Sequence, residues 1–353
     1  MTTLTLLLLV VVVALIFDFI NGFHDTANAI ATVVSTGVLR ARTAVIFAAV
    51  LNVMGAFAGT AVATTIGKDL LDPSLVTQQI VLAALTGAII WNLITWWFGI
   101  PSSSSHALVG GLVGAGIVGL DYTHIKLGGV EKVVIALIVS PFFGFLAAFV
   151  LMVSTLWIVR RVTVVKINHV FRRLQLVSAG LMAFSHGTND AQKTMGVITM
   201  ALVSYASAVG PEGRLGVPNW VLPMVDRFDA TAKFPVPTWV VVACALAMGL
   251  GTAAGGWRII HTMGHKIFKL RPIHGFCAET GAAIVLQIAS HLGLPTSTTH
   301  CITSAIMGAG STTRLSAVSW GVTRRIVLAW VLTIPMCMAL SALSWHLFKV
   351  IGV

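Results

Sequence analysis

From residue 44 to 66 the chain carries no charged side chain, and the same is true of 240–256 and 326–347. A helix needs about 20 apolar residues to cross a ~30 Å hydrocarbon layer. In lipid every backbone N–H and C=O must be satisfied within the protein, so such runs favour helices. Outer-membrane strands are excluded, because they would be ~10 residues long with alternating polarity. The composition agrees: 57% of residues are hydrophobic, 9% are charged and the mean hydropathy is +0.95. A soluble domain typically carries about 25% charge. The expected fold is an all-α polytopic membrane protein.

Ten apolar segments can be drawn, at 4–36, 44–66, 77–98, 102–119, 133–159, 175–205, 238–257, 274–292, 296–312 and 326–348. No Lys or Arg precedes the apolar run 4–17, so it reads as a first span, not as a secretory leader. Cys244, Cys277, Cys301 and Cys337 are scattered through apolar spans without a C-x-x-C pair, which suggests neither a zinc site nor a disulfide framework.

The loops between these segments alternate in charge. One set holds Arg40, Arg42, Arg160, Arg161, Lys166, Arg172, Arg173, Arg258, Lys266, Lys269, Arg271, Arg314, Arg324 and Arg325, with no acid. The opposite set holds seven basic and seven acidic residues. Short basic loops mark the cytoplasmic side, which puts both termini outside a cell membrane. The net charge of +11 is then a topology signal. Its natural partner is anionic lipid, and nucleic acid is not expected.

Two short polar passages each occur twice. G-F-H-D-T-A-N-A at 22–29 is echoed by G-T-N-D-A-Q-K-T at 187–194. G-I-P-S-S-S-S-H at 99–106 is echoed by G-L-P-T-S-T-T-H at 293–300, and seven of 18 aligned residues from Gly99 and Gly293 are identical. Segments one to five carry the first copies and segments six to ten the second. Five is odd, so the second half must enter the membrane from the other side. That predicts two five-segment inverted repeats with broken helices and a site near the midplane. The halves would be 1–159 and 175–353, joined by a basic cytoplasmic linker at 160–174, with an outer loop at 204–237.

Asp18, Asn21, Asp25 and Asn28 are three or four residues apart and form one stripe on a helix. Gly22 within it permits a break that would free backbone carbonyls. Asp25, Asn28 and such carbonyls would make an all-oxygen site suited to a hard cation such as Na+, with Asp190 its counterpart. A carboxylate alone can instead carry a proton. In the second copy Ser185, Asn189, Asp190, Gln192 and Lys193 repeat the theme. Lys193 can neutralise Asp190 or face an anionic substrate. Ionisable groups at membrane depth are usually functional. Glu279 reads equally as a coupling residue or as a solvated helix end.

Pro101 and Pro295 each precede four hydroxyl residues. Proline suits the first turn of a helix and Ser or Thr its cap. Ser102, Ser103 and Ser104, with Thr296, Ser297 and Thr298, therefore mark two helix N-termini offering N–H groups, a positive dipole end and hydroxyl donors. Such an end binds phosphate or sulfate without a basic residue. His106 and His300 close the motifs, as proton carriers or as structural groups.

With these motifs the chain closely resembles the PiT family of inorganic phosphate transporters, whose signature G-x-N/H-D-x-A-N-A and paired P-[ST]-[ST]-[ST]-x-H segments it matches along essentially its whole length. His24 stands where many relatives have Asn. The resemblance implies an inverted-repeat fold, phosphate uptake driven by Na+ or H+, and a homodimer. It marks Asp25, Asn28, Asn189 and Asp190 as cation-coupling residues, and Ser103, Ser104, Ser297 and Thr298 as phosphate ligands. Asn21 and Glu279 extend the cation set, and Ser102, Thr296, Gln192 and Lys193 the anion set. The short 160–175 loop suits a prokaryotic form. The expected function is a secondary symporter without a cofactor beyond the coupling ion. A sulfate permease on the same scaffold and a passive anion channel are the alternatives. A membrane enzyme with Ser103 as nucleophile and His106 as base is disfavoured, because catalysis needs one such set and the chain has two.

Overall fold

A computed structural model describes residues 3–213, 234 and 236–352, and among these it holds no β-strand. The first half consists of α1 (Thr3–Ser35), α2 (Ala41–Ala56), α3 (Ala61–Thr64), α4 (Gln78–Trp97), α5 (Ser104–Gly119) and α6 (Leu127–Val159). The second consists of α7 (Val164–Gly213), α8 (Thr238–Ala254), α9 (Trp257–His261), α10 (Pro272–His291), α11 (Thr298–Ser311) and α12 (Trp320–Ile351). The order of long, bent, hairpin and proline-containing helices is the same in both halves. Pro141 lies inside α6 and Pro335 inside α12.

The segments drawn at 77–98, 102–119, 274–292 and 296–312 agree with α4, α5, α10 and α11 to within two residues. At three points the helices run differently from the segments as drawn. The run at 44–66 is not one helix: α2 ends at Ala56, and the chain bends by 67° into Ala61–Asp69. Its counterpart bends by 61° between Thr238–Ala254 and Trp257–Lys266. Gly22 does not break α1, which is continuous from Thr3 to Ser35. And the basic stretch expected as a linker is helical from Val164, as the first turns of α7. Most of the expected outer loop at 204–237 lies outside the described residues, and its first part, to Gly213, belongs to α7.

Among the described residues four helices, α1, α4, α6 and α12, are long and apolar enough to cross a membrane, and the two bent pairs raise the number to six. At 1.5 Å per residue α5 and α11 are only about 24 and 21 Å long, short of a ~30 Å core. They pack back on α4 and α10 as helical hairpins.

Each bend ends in a π-helical turn, Thr65–Asp69 and Thr262–Lys266. These turns hold the hairpin tips of the opposite half. Thr65 Oγ1 donates to the Gly293 carbonyl at 2.7 Å, and Thr262 Oγ1 to the Gly99 carbonyl at 2.8 Å. The tips turn through Gly99 at φ +63° and Gly293 at φ +66°, a left-handed conformation that side-chain-bearing residues rarely adopt. The halves also exchange their last helices: α6 packs on α10 and α11, and α12 on α4 and α5.

The apolar core is divided in two. Leu7–Phe17 of α1 and Ala191–Tyr205 of α7 contribute to one cluster, and Ala27–Val33 of α1 and Phe171–Ala183 of α7 to the other. The two helices therefore run in opposite directions between the cores. Their polar motifs occupy the layer between.

Candidate functional site

Glycines bring the carriers of the first motif close to their neighbours. A Cβ on Gly22 would lie 2.4 Å from the Met248 carbonyl oxygen, and one on Gly187 2.2 Å from that of Asn52. Gly22 thus serves a close crossing of α1 with α8, and Gly187 the matching crossing of α7 with α2. This is the use small residues have in helix packing within membranes. The Thr26 hydroxyl bonds back to the Gly22 carbonyl at 2.7 Å, so the carbonyl expected to be free for a cation is occupied.

Asp18, Asn21, Asp25 and Asn28 are all buried along α1. Asp25 Oδ1 lies 2.6 Å from His24 Nδ1, and Asp25 Oδ2 accepts from Ser104 Oγ at 2.8 Å. The same hydroxyl lies 2.5 Å from Asn21 Oδ1. Asn28 Nδ2 donates to Thr298 Oγ1 at 3.2 Å and Thr299 Oγ1 at 2.9 Å. In the second copy Asp190 Oδ2 accepts from Thr298 Oγ1 at 3.0 Å and lies 3.1 Å from His186 Nε2. Lys193 donates to Asp190 Oδ1, to Ser105 Oγ and, at 3.1 Å, to the Thr296 carbonyl. Asn189 Nδ2 donates to Ser290 Oγ at 3.0 Å and Thr296 Oγ1 at 3.2 Å.

One relation holds in both copies. The first residue of a hairpin helix, Ser104 or Thr298, places its hydroxyl on the motif carboxylate, Asp25 or Asp190. Ser103 and Ser297 cap these helices by accepting from the backbone N–H of His106 at 3.2 Å and His300 at 3.1 Å. The first N–H groups of each helix have no intrahelical partner and point toward the tip. The two tips meet: Ser105 Oγ donates to the Thr296 carbonyl at 3.1 Å, and the His106 and His300 rings stack with centroids 4.4 Å apart. Trp330 stacks on His300 at 3.9 Å and donates to the Pro101 carbonyl at 3.1 Å, bracing both tips from α12.

Asp25, Asp190 and His186 each offer one ligand atom, and these atoms lie within 4.8 Å of one another. With the histidines neutral, two carboxylates and the Lys193 ammonium leave the cluster one negative charge. Carboxylate and hydroxyl oxygens suit a hard cation, and the carboxylates equally suit a proton.

Other expected site residues lie beside this cluster. Ser102 bonds to Thr95 at 2.8 Å, and Thr95 lies 3.1 Å from His24 Nε2. Gln192 accepts from the Val62 N–H at 2.8 Å and donates to the Thr188 carbonyl at 2.7 Å, which satisfies the start of α3 after the bend. Asp18 accepts from Thr194 at 3.0 Å. Glu279 is buried, not solvated: it accepts from Thr32 at 2.5 Å, from Gln175 at 3.0 Å and from Ser178. Among the described residues it shares no hydrogen bond with Asp25 or Asp190. His186, Ser105 and Thr299 were not among the expected site residues, yet all three join the cluster. The available signal for His186 was its i, i+4 spacing from Asp190, which puts both on one helix face.

Residues 21–341 match the model of the phosphate transporter family. The chain is 50% identical to a probable low-affinity inorganic phosphate transporter of Rhizobium meliloti, over 96% of each chain. It is 46% identical to a protein of the same description from Bacillus subtilis, over 99% of this chain and 98% of the relative. A solved structure described as the sodium-dependent phosphate transporter superposes with a TM-score of 0.83 at 25% identity, over 98% of this chain and 100% of the other.

Proposed function

This chain belongs to the phosphate transporter family, and we propose that it is a secondary symporter that carries inorganic phosphate inward with Na+ or H+. The observation that carries this reading is the hydroxyl-to-carboxylate contact made in both copies, Ser104 to Asp25 and Thr298 to Asp190. It joins an anion-binding helix end to an acidic group in a single hydrogen bond.

Phosphate binds at the opposed starts of α5 and α11, where backbone N–H groups, the helix dipoles and the hydroxyls of Ser102, Ser103, Ser104, Thr296, Ser297 and Thr298 converge. Lys193 and Gln192 stand at the edge of this space. The cation or proton is taken up in the cluster that Asp25, Asn28, Asn21, Asn189 and Asp190 surround. Because the cluster already carries one negative charge, an anion can enter only after a positive charge does. Each uncompensated charge at membrane depth costs at least ~2.5 kcal/mol. A cation on Asp25 also frees the Ser104 hydroxyl to turn toward phosphate. Glu279 acts as a further coupling residue on the cytoplasmic side.

The halves 1–159 and 175–353 form an inverted repeat with ten membrane segments, four of them paired as hairpins, α4 with α5 and α10 with α11. The repeated element order and the antiparallel α1 and α7 support this. Transport proceeds by alternating access, as one set of packed helices rocks against the other around the midplane site. Both termini lie outside a cell membrane, and the functional unit is a homodimer.

The experiment is uptake of labelled phosphate into proteoliposomes with Na+ and pH gradients imposed separately. Concentrative uptake under one gradient is expected. Flux that stays passive under both would overturn the symport reading, and labelled sulfate carried equally well would overturn the substrate.

A further inference from the structure

The two copies of the first motif differ at one chemically decisive position. Three residues after the aspartate the first copy has Asn28 and the second has Lys193. Lys193 is only 2% exposed. Its ammonium meets three oxygens of different kinds: the Asp190 carboxylate, the Ser105 hydroxyl and the Thr296 carbonyl. Carboxylate, hydroxyl and carbonyl oxygens together are the donor set that a hard monovalent or divalent cation takes. They come from three elements, α7 and the tips of both hairpins. The ammonium thus lies where one ion could bridge the two halves.

The first copy has no such tether. Asn28 turns its amide N–H to Thr298 and Thr299, and its Oδ1 has no hydrogen-bond partner among the described residues. Two contacts nevertheless correspond between the copies, although His24 and Asn21 of the first are replaced by Asn189 and His186 in the second. Ser105 receives Lys193 as Thr299 receives Asn28, and Asp25 and Asp190 each hold the first hydroxyl of a hairpin helix.

We propose that the Lys193 ammonium is a tethered counter-cation that occupies the cation position of the second copy, so that this chain takes up its coupling ion at the Asp25 copy alone. Asp190 then serves to hold Lys193 and Thr298, and does not ligate a free ion. A second cation beside the ammonium would face like-charge repulsion in a buried site, whereas the tether supplies one positive charge without a binding step. This rests on the symport reading, and it adds that the number of mobile cations is one fewer than two complete copies would bind.

The test counts bound ions without requiring transport. Purified wild-type protein, Lys193→Asn and Lys193→Arg are titrated with labelled Na+ against a choline background, and sites per chain are measured. Lys193→Asn is expected to gain one Na+ site over the wild type, and Lys193→Arg to gain none. Equal counts in the wild type and Lys193→Asn, or an added site in Lys193→Arg, would overturn the proposal. If Lys193→Asn does not fold, the neutral pair Asp190→Asn with Lys193→Asn decides: it should fold and bind no added Na+, and either failure overturns the proposal. Phosphate uptake is measured in parallel. Loss of cation-driven uptake in the wild type would overturn the symport reading while leaving the ion count to judge Lys193.

Discussion

Ser104→Ala tests whether the hydroxyl at the start of α5 links the cation and anion sites. Ser104 Oγ lies 2.8 Å from Asp25 Oδ2 and 2.5 Å from Asn21 Oδ1, but a hydroxyl has a single proton and makes one strong donor bond at a time. A hydrogen bond to a charged group contributes about 1.5–3 kcal/mol. At 1.4 kcal/mol per tenfold, that is roughly a 10- to 140-fold effect on binding. In the ion-free protein this bond stabilises the Asp25 carboxylate. Removing it should strengthen cation binding, because the competing partner is gone. Phosphate binding should weaken, because a donor is gone. Helix α5 should survive, since its cap is Ser103. The assay is the initial rate of phosphate uptake into proteoliposomes, as a function of phosphate and of the driving cation. The expected result is a KM for phosphate raised tenfold or more together with a lower half-saturating cation concentration. If both constants rise, Ser104 is a structural prop; if neither moves, the coupling argument is wrong. Thr298→Val should reproduce the phosphate effect alone, because Lys193 already neutralises Asp190.

Asp25→Asn should abolish cation-driven uptake while the protein still reaches the membrane in normal amount; normal uptake at normal abundance would remove Asp25 from the coupling site. Gly187→Ala drives a Cβ to 2.2 Å from a backbone oxygen of Asn52 that has no freedom to rotate away. Overpacking of this kind costs about 1–3 kcal/mol and should lower the Tm of the purified protein. Gly128→Ala, with nothing within 4 Å, should leave the Tm unchanged. Ser297→Ala removes the cap of α11 and should cost about 1 kcal/mol, read as a lower denaturation midpoint; an unchanged midpoint would show that the cap contributes nothing.

Hydropathy and the doubled motifs made the helical character of the molecule legible in the sequence. The hairpin helices were readable to within two residues, because Pro101 and Pro295 followed by hydroxyl residues mark a helix start through local chemistry alone. The polar stripe on α1 was readable too, because residues three and four apart share a helix face whatever surrounds them.

What local chemistry does not encode is the identity of the neighbour. Gly22 reads in sequence as a possible break, but α8 crosses at that glycine and the helix stays whole, while the bend falls after Ala56, where Gln192 from α7 receives the Val62 N–H. Glu279 reads in sequence equally as a coupling residue or as a solvated helix end, and only the fold shows that Thr32, Gln175 and Ser178 from two other helices enclose it. Lys193 could have faced either a substrate or Asp190. Only the meeting of the hairpin tips put Ser105 and the Thr296 carbonyl around its ammonium. The sequence by itself determined an all-helical membrane protein and the doubled polar motifs from which its candidate site is built. Tertiary structure decided which groups partner which, because a side chain's burial and charge balance depend on helices far away in the chain.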